Sequence, residues 1–587
     1  MEDKANRWKK DSKRKSSRDV RVKILSIFLM VFAGVIGVRL FFIQVLDHSF
    51  YEDMASGQHD RFQELFPARG KIFFHDTKDD TEIAVATNQK MAFVYADPSQ
   101  IKDPAEVIKK LGEIFAWDEE TANSFLAKFS NKERKFESIK KNVDEETLAK
   151  VINLKLSGIN YLRKDSRLYP EAGLGGQVLG FVGSNDDGSL SGKYGIEGYF
   201  NDILTGTPGF LRSESDIAGR LIAAAGMAFQ PAVDGADIVL TIDRNIQYEA
   251  CSRLKAQVDK YSADSGSVVI VEPSTGRILA MCGVPDFDPN NYGQVADIDQ
   301  FNNPVSFNAY ESGSVFKPIT IAAALDSGVI DPTTTFEDTG SVMVEGWSQP
   351  ISNAENKSYG VVNMTQVLEN SVNTGTIFAM RQMGQDNFVD YVKKFGFGER
   401  TGIELDSESA GDVSSLDQKA EVYAATASFG QGITVTPLQL VMAFAVLANH
   451  GVLLQPQIVD EIRHADGSVE KRSTKEVRKV ISDRTAELIG AMLVSVVENG
   501  HGKPAQVLGY YIGGKTGTAQ VASGGSYDSG QNIGTFAGFG PVSNPRFAMS
   551  VRIDNPRGIP WAESSAAPLF GEIADFLLRY YEVPPER

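Results

Sequence analysis

The chain has 587 residues, of which 42% are hydrophobic and 23% charged, and its formal net charge is −17. This composition is ordinary for a globular protein, and the length predicts two or more folded units. The six histidines are scattered without ligand spacing, which argues against a zinc or iron centre. The two cysteines, Cys251 and Cys282, indicate neither a disulfide framework nor a metal site, and we expect Cys282 to be a small buried core residue.

The N-terminal segment is basic and is followed by an apolar stretch. Residues 1–23 carry ten Lys and Arg against four Asp and Glu, a balance that by itself could suit nucleic acid. Residues 24–46 contain Arg39 as their only ion and are long enough to span a bilayer. A cleaved signal peptide would be shorter and would end in a small-residue cleavage site, which is absent. The positive-inside rule then predicts a cytoplasmic head at 1–23, a single transmembrane anchor at 24–46, and the rest of the chain outside, with no nucleic-acid partner.

Residues 47–232 mix strand-like and helical segments without a cluster of catalytic residue types. The run Lys140–Ile152 predicts an amphipathic surface helix capped near Asp144. Its charges are typical of a solvated face and indicate no chemistry.

Residues 233–587 predict a second unit of the α+β class. Two apolar runs around a Pro-Ser-Thr-Gly turn, within Ser267–Met281, predict a hairpin. We expect an antiparallel sheet with a helix lying back on it. The hairpin is joined in this prediction by strands at 515–521, 535–539 and 547–553 and by helices at 245–260 and 568–581.

The segment Glu311–Gly328 predicts a helix with a reactive start. Pro318 lacks the N–H that would bond to residue 314, so it belongs in the first turn and the helix should begin at about Ser314. Gly328 is a suitable C-terminal stop. A serine at the positive end of a helix dipole, with Lys317 three residues later on the same face, is an activated nucleophile beside its own base.

Two further motifs decide how this Ser-x-x-Lys pattern is interpreted. Alone, it would indicate an N-cap serine and a solvated lysine. It is followed by Ser371-Val-Asn373 and then by Lys515-Thr-Gly-Thr518. In that chain order the three motifs are the signature of penicillin-binding proteins and serine β-lactamases. The chain resembles a class B penicillin-binding protein, a bacterial membrane-anchored D,D-transpeptidase that cross-links peptidoglycan.

The resemblance implies a role for each motif residue. Ser314 would be the acylated nucleophile and Lys317 its base, provided that burial and Lys515 lower the pKa of Lys317. Ser371 would relay a proton to the leaving amine, and Asn373 would hold Lys317 and the substrate amide. Thr516 and Thr518 would bind a substrate carboxylate, Gly517 would let substrate approach the strand closely, and the N–H groups of Ser314 and Thr518 would form the oxyanion hole.

The same resemblance implies the ligands and the domains. Substrates would be stem peptides ending in D-alanyl-D-alanine, β-lactams would be trapped as acyl-enzymes, and neither cofactor nor metal would be needed. Arg69 and Glu197 match motifs of the family's non-catalytic pedestal, or dimerisation-type, domain, so we expect structural ion-pair or hydrogen-bond roles for them. The domains would be an anchor at 24–46, a pedestal at 47–232 and a transpeptidase domain at 233–587.

The cellular role has several candidates at this stage. The short head, single span and chain length are most similar to the division-specific, septal type, which acts outside the cytoplasmic (inner) membrane with a glycan-polymerase partner and other division proteins. A side-wall elongation enzyme that maintains cell shape is the alternative. A β-lactamase-like hydrolase or a non-catalytic scaffold of the wall-synthesis complex fits less well, because no deacylating carboxylate motif is recognisable and all three motifs are intact.

Overall fold

The computed structural model describes residues 25–41, 60–171, 173–185, 189–214, 228–523 and 526–587. Up to residue 243 the helices are α1 (residues 25–41), α2 (Pro104–Phe115), α3 (Glu119–Ser130), α4 (Glu145–Asn153), α5 (Gly176–Leu179), α6 (Gly195–Tyr199) and α7 (Asn201–Thr205). The strands there are β1 (Asp60–Leu65), β2 (Ile72–Asp76), β3 (Thr81–Ala96), β4 (Glu137–Val143), β5 (Ile159–Leu168), β6 (Phe181–Ser184), β7 (Leu190–Lys193), β8 (Gly209–Glu214), β9 (Ala228–Gln230) and β10 (Asp237–Asp243).

Beyond residue 243 helices and strands alternate less regularly. The helices are α8 (Arg244–Lys260), α9 (Pro304–Phe307), α10 (Lys317–Asp326), α11 (Met364–Glu369), α12 (Asn373–Met383), α13 (Gln385–Lys394), α14 (Glu421–Ala427), α15 (Pro437–Ala448), α16 (Asp483–Asn499) and α17 (Ala566–Tyr580). The strands are β11 (Ser265–Val271), β12 (Ile278–Val284), β13 (Thr335–Asp338), β14 (Ser341–Val342), β15 (Ile351–Ser352), β16 (Gly360–Asn363), β17 (Val452–Leu454), β18 (Val459–Arg463), β19 (Val469–Lys471), β20 (Glu476–Lys479), β21 (Gly513–Ser523), β22 (Ser526–Gly540) and β23 (Phe547–Asp554).

The chain divides into two compact units. The first comprises the described parts of Met1–Pro67 and Thr207–Val233, where β1, β8 and β9 form an antiparallel sheet. The second comprises the described parts of Ala68–Gly206 and Asp234–Arg587. A seven-stranded sheet in the second unit has the order β19-β18-β10-β2-β3-β4, with β5 also paired to β3. Since β10 pairs in parallel with β2, part of the expected pedestal shares a sheet with the later chain.

The predicted catalytic sheet is confirmed as a five-stranded sheet of order β12-β11-β23-β22-β21, antiparallel throughout. Leu254 of α8 and Phe570 of α17 pack on one face of it together with Val551. Both helices and the hairpin lie where the sequence predicts them. Their ends agree within two residues, except that the hairpin ends at Val284, three residues after its predicted end at Met281. The strand β21, which carries Lys515, lies at the edge of this sheet and is therefore accessible to a ligand on one side.

The expected pedestal ion pair is confirmed and has a third member. The Arg69 guanidinium donates from Nε to Glu197 Oε2 at 2.7 Å, and Arg167 donates from Nε to Glu197 Oε1 at 2.6 Å. Glu197 is fully buried, so its charge must be matched inside the protein. Arg69 also donates to Thr205 Oγ1 at 2.7 Å, which fixes α7 to the segment before β2.

Two expectations about local structure are wrong. Residues 137–143 form β4, so the helix expected from Lys140 begins only at Glu145, although Asp144 is its N-cap as predicted and accepts from the Thr147 N–H. Burial alternates only in the first half of this strand, where Glu137 and Ile139 are buried, whereas Lys140 to Asn142 are all exposed and gave the sequence no strand pattern. Cys251 and Cys282 form a disulfide, because α8 packs against β12 and brings together residues 31 apart in the chain.

The helix α1 covers 17 of the 23 residues of the expected anchor, and its large apolar side chains are exposed. Among the described residues no helix reaches the length and apolarity needed to cross a bilayer. Residues 24 and 42–46 lie outside the described part, so the span at 24–46 stays a prediction.

Candidate active site

The segment around Ser314 starts a helix, as the sequence predicts. Residues Gly313–Phe316 form a 3₁₀ turn that leads directly into α10 at Lys317, with Pro318 in its first turn. Gly313 has φ +59°, a left-handed conformation that glycine adopts without strain, and its N–H donates to the Gly430 carbonyl at 2.9 Å. Ser314 is half-buried in this turn. Its N–H is one of the first in the helix, so no helical carbonyl four residues earlier is available to accept from it.

Lys317 is the first residue of α10 and is fully buried. Its Nζ donates to Ser371 Oγ at 3.1 Å and to the Ser371 carbonyl oxygen. Burial, and then the positive charge of Lys515, hold the pKa of Lys317 well below its ordinary value. The lowered pKa favours the neutral amine, which is the form that accepts a proton.

Ser371 and Asn373 lie at the junction between α11 and α12. Ser371 has φ +56°, an uncommon conformation for a residue with a side chain, and its carbonyl and hydroxyl oxygens both reach Lys317. Asn373 is the first residue of α12, and its Nδ2 donates to the Ser352 carbonyl at 3.0 Å. In the described residues Lys317 thus donates hydrogen bonds to Ser371 rather than to Asn373. The side-chain amide of Asn373 donates to strand β15 instead.

Lys515 is also fully buried, in the edge strand β21. Its Nζ donates to the Thr516 carbonyl at 3.0 Å and to Thr516 Oγ1 at 3.3 Å. Burial lowers the pKa of Lys515 to about 7, with the Glu563 carboxylate acting in the opposite direction. Two lysines whose pKa values are lowered by burial, one of them also by the charge of the other, are typical of a site where protons are transferred.

The strand β21 is packed directly against the Ser314 turn. A Cβ on Gly313 would lie 3.1 Å from the Thr518 carbonyl oxygen, so that carbonyl faces the turn. The N–H and C=O of one strand residue point to the same side, and the Thr518 N–H therefore also faces the turn. Thr518 Oγ1 accepts from the Ala562 N–H at 3.1 Å, which leaves the hydroxyl proton to be donated to a ligand.

The structure gives Gly517 a reason in addition to the expected one. A Cβ on Gly517 would lie 2.7 Å from the Ser312 carbonyl oxygen and 2.8 Å from the Val315 nitrogen. The missing side chain therefore makes room for the turn that carries the serine, whereas the sequence suggested room for substrate.

The structure brings the three motifs to one place. Lys317 contacts Ser371, the charge of Lys515 acts on Lys317, and β21 packs against the turn of Ser314. The side chain of Asn373 points to Ser352 instead. Thr516 is buried against Lys515, while Thr518 is half-buried.

Several residues of this region were missed in the sequence. A Cβ on Gly430 would lie 2.2 Å from the Gly313 carbonyl oxygen, so a second glycine is required beside the nucleophile turn. Glu563 lies one residue after Ala562 and accepts a hydrogen bond from His501 Nδ1 at 2.8 Å. The Gly430-Gln-Gly432 spacing is a visible signal of a tight turn. No sequence pattern pointed to Glu563 or His501, because neither residue belongs to a motif.

The chain is similar to known proteins over most of its length. Residues 266–575 match the penicillin binding protein transpeptidase domain, and residues 64–240 match the penicillin-binding protein dimerisation domain. Stage V sporulation protein D of Bacillus subtilis is 32% identical over 586 residues, which cover 98% of this chain and 88% of that protein. The probable peptidoglycan D,D-transpeptidase PbpC of Pseudomonas aeruginosa is 29% identical, with 96% of each chain covered. The crystal structure of penicillin binding protein 3 from Mycobacterium tuberculosis, complexed with aztreonam, superposes with a TM-score of 0.68 at 27% identity, covering 89% of this chain and 98% of that one.

Proposed function

The chain belongs to the class B penicillin-binding proteins and is a peptidoglycan D,D-transpeptidase, and from this membership we propose that it works through an acyl-enzyme at Ser314. The observation that carries the proposal is the buried Lys317 amine three residues after Ser314, with a pKa well below its ordinary value. A neutral amine beside a hydroxyl at a helix start is a base next to its nucleophile.

The first half of the reaction acylates the enzyme. Lys317 takes the proton of the Ser314 hydroxyl, and the oxygen attacks the carbonyl carbon of the penultimate D-alanine. In this proposal the N–H groups of Ser314 and Thr518 stabilise the resulting oxyanion, each at about 3–4 kcal/mol by comparison with other acyl-transfer enzymes. The peptide bond then breaks, and D-alanine leaves with a proton delivered through Ser371, which contacts Lys317.

The second half transfers the acyl group. The amine of a neighbouring strand attacks the ester at Ser314 and loses a proton to the Lys317–Ser371 pair, and the cross-link forms as the serine oxygen regains its proton. Lys515 contributes positive charge, while the Thr516 and Thr518 hydroxyls bind the terminal carboxylate of the donor peptide. A β-lactam acylates Ser314 in the same way, but its cleaved ring stays attached and blocks the amine.

We also propose that the protein is anchored in the cytoplasmic membrane through residues 24–46, with the catalytic domain outside. The basic head, the apolar stretch after it and the Cys251–Cys282 disulfide support this placement, because disulfides persist in oxidising compartments. The proposed role is septal wall synthesis beside a glycan polymerase and division proteins, with side-wall elongation as the alternative. A fluorescent fusion that accumulates along the side wall rather than at midcell would favour the alternative.

Labelling with a fluorescent penicillin tests the mechanism. We expect the purified protein to be labelled covalently, with the label on the peptide containing Ser314 by mass spectrometry. Ser314→Ala should abolish labelling, whereas the exposed control Ser468→Ala should not. Labelling of folded Ser314→Ala would refute the proposal, and rapid release of hydrolysed drug would favour a β-lactamase-like hydrolase.

A further inference from the structure

The helix that follows Ser371 lacks a local cap. Val372 occupies the N-cap position of α12 and makes no side-chain hydrogen bond to the first turn. Asn and Ser are strong capping residues, but here they flank the cap position as Asn373 and Ser371. The first N–H groups of an 11-residue helix therefore need partners from elsewhere.

Two distant residues supply those partners through Thr374, the second residue of α12. The Thr374 N–H donates to Asn353 Oδ1 at 3.1 Å, and Thr374 Oγ1 donates to Asp338 Oδ1 at 2.6 Å. Asn353 Nδ2 in turn donates to Asp338 Oδ2 at 2.9 Å. Asp338 is 1% exposed and Asn353 is 4% exposed, so neither contact is an incidental surface bond.

The Asp338 carboxylate is itself held firmly. It accepts from the Gly340 N–H at 3.0 Å and from the Tyr359 N–H at 2.8 Å, besides the bonds from Thr374 and Asn353. A negative charge at a helix N-terminus interacts favourably with the helix dipole. Burial alone would raise the pKa of Asp338, but these four hydrogen bonds hold it below its ordinary value and so favour the carboxylate that supports the start of α12.

The segment that carries Asp338 also holds the motif on its other side. Asn373 Nδ2 donates to the carbonyl of Ser352, the residue just before Asn353. The segment 338–353 thus forms hydrogen bonds with both Asn373 and Thr374. Ser371 lies three residues before Thr374, and its unusual φ of +56° leaves its position dependent on these neighbours.

We propose that Asp338 and Asn353, acting through Thr374, are positioning residues that hold Ser371 in contact with the Lys317 amine. This inference rests on the proposed role of Ser371 and Lys317 in acylation. In this inference the Ser371–Lys317 distance is set by a segment that lies outside all three motifs in the sequence. Misplacement of a reacting group by about 1 Å can cost on the order of 100-fold in rate, so the effect should be measurable.

The test compares two substitutions at one position. Thr374→Val removes the hydroxyl at nearly constant volume, and Thr374→Ser keeps it. Thr241→Val is the matched control: Thr241 is also buried, and its Oγ1 donates to the Ile278 carbonyl at 2.7 Å, away from the site. The measured quantities are the second-order rate constant of acylation by penicillin from pH 5 to 10 and the melting temperature of each full-length variant.

We expect Thr374→Val to slow acylation by about 10- to 100-fold and to shift its pH profile, because a displaced Ser371 changes the surroundings of the Lys317 amine. Thr374→Ser should restore most of the rate. Thr241→Val should lower the melting temperature similarly but leave the rate and its pH profile unchanged. Asn353→Ala, which removes the second cap, should act like Thr374→Val and serves in its place if that variant does not fold.

Two outcomes would overturn the inference while leaving the mechanism intact. In one, wild-type protein is acylated and Thr374→Val is acylated with the same rate and pH profile. In the other, Thr374→Val and Thr241→Val slow acylation equally, which would indicate a general loss of stability. Failure of the wild type to be acylated at Ser314 would instead refute the proposed function on which the inference rests.

Discussion

Gly517 lies against the backbone of Ser312, two residues before the proposed nucleophile. A Cβ on Gly517 would come 2.7 Å from the Ser312 carbonyl oxygen, a separation that real Cβ atoms do not tolerate. Because residue 517 has no side chain, the strand that carries Lys515 and the turn that carries Ser314 can pack in van der Waals contact. This contact joins the two elements that carry the proposed oxyanion-hole N–H groups.

Gly517→Ala should therefore separate the strand from the turn. We expect a loss of about 1–3 kcal/mol in the free energy of unfolding, as for other overpacked sites. Acylation should slow by at least about 10-fold, because one oxyanion-hole donor moves out of place. Gly293→Ala is the matched control, since a Cβ there meets no atom within 4 Å and Gly293 has no positive φ. Chemical denaturation and the rate of penicillin acylation are the measurements, and equal acylation by both variants would contradict the prediction.

The acylation rate should depend on pH through the two buried lysines. Lys317 must be neutral, and its pKa lies well below the ordinary value, so the rate rises with pH as this amine loses its proton. Lys515 must be charged, and its pKa is about 7, so the rate falls as pH rises through that value. The profile should be bell-shaped, and its two limbs belong to the coupled pair of lysines.

Lys515→Arg separates the two limbs of this profile. Arginine stays charged at every accessible pH, so the alkaline fall near pH 7 should disappear while the acidic limb remains. The larger guanidinium will also lower the absolute rate, and the shape of the profile is therefore the informative quantity. An alkaline limb that persists in Lys515→Arg would mean that another group causes it.

Replacing Glu197 should destabilise the protein strongly. Glu197→Gln removes the buried charge that matches both Arg69 and Arg167, and leaving buried charges uncompensated costs roughly 3–5 kcal/mol. Glu146→Gln is the control, because Glu146 pairs with Lys150 at the surface and its side chain is 83% exposed. Urea denaturation should show a large loss for the first variant and almost none for the second; similar losses would contradict the structural role assigned to Glu197.

The disulfide between Cys251 and Cys282 predicts that native protein has no thiol that can be alkylated. Maleimide should add no mass to the denatured, unreduced protein, and two equivalents after reduction. The double variant Cys251→Ala/Cys282→Ala should unfold about 3–4 kcal/mol more easily, on the entropy of a loop of this length. Two reactive thiols in the unreduced protein would contradict the bond.

Much of the fold and part of the site were predictable because their causes are local. Pro318 restricts where a helix can begin, and the start at the Ser314 turn is confirmed. The turn inside 267–281 and the apolar runs around it determine the hairpin, which is also confirmed. Short motifs such as Ser-x-x-Lys keep their meaning because three residues of helix fix the geometry between the two side chains.

Other features were decided only by the tertiary structure, since they join residues that no local pattern relates. The pairing of Cys251 with Cys282 depends on the packing of α8 against β12. The clash that Gly517 avoids comes from Ser312, about two hundred positions earlier in the chain. The cap of α12 comes from Asp338 and Asn353, because motif residues occupy the local positions. The sequence thus determined which residues we propose for the chemistry, and packing between distant segments decided what holds those residues in place.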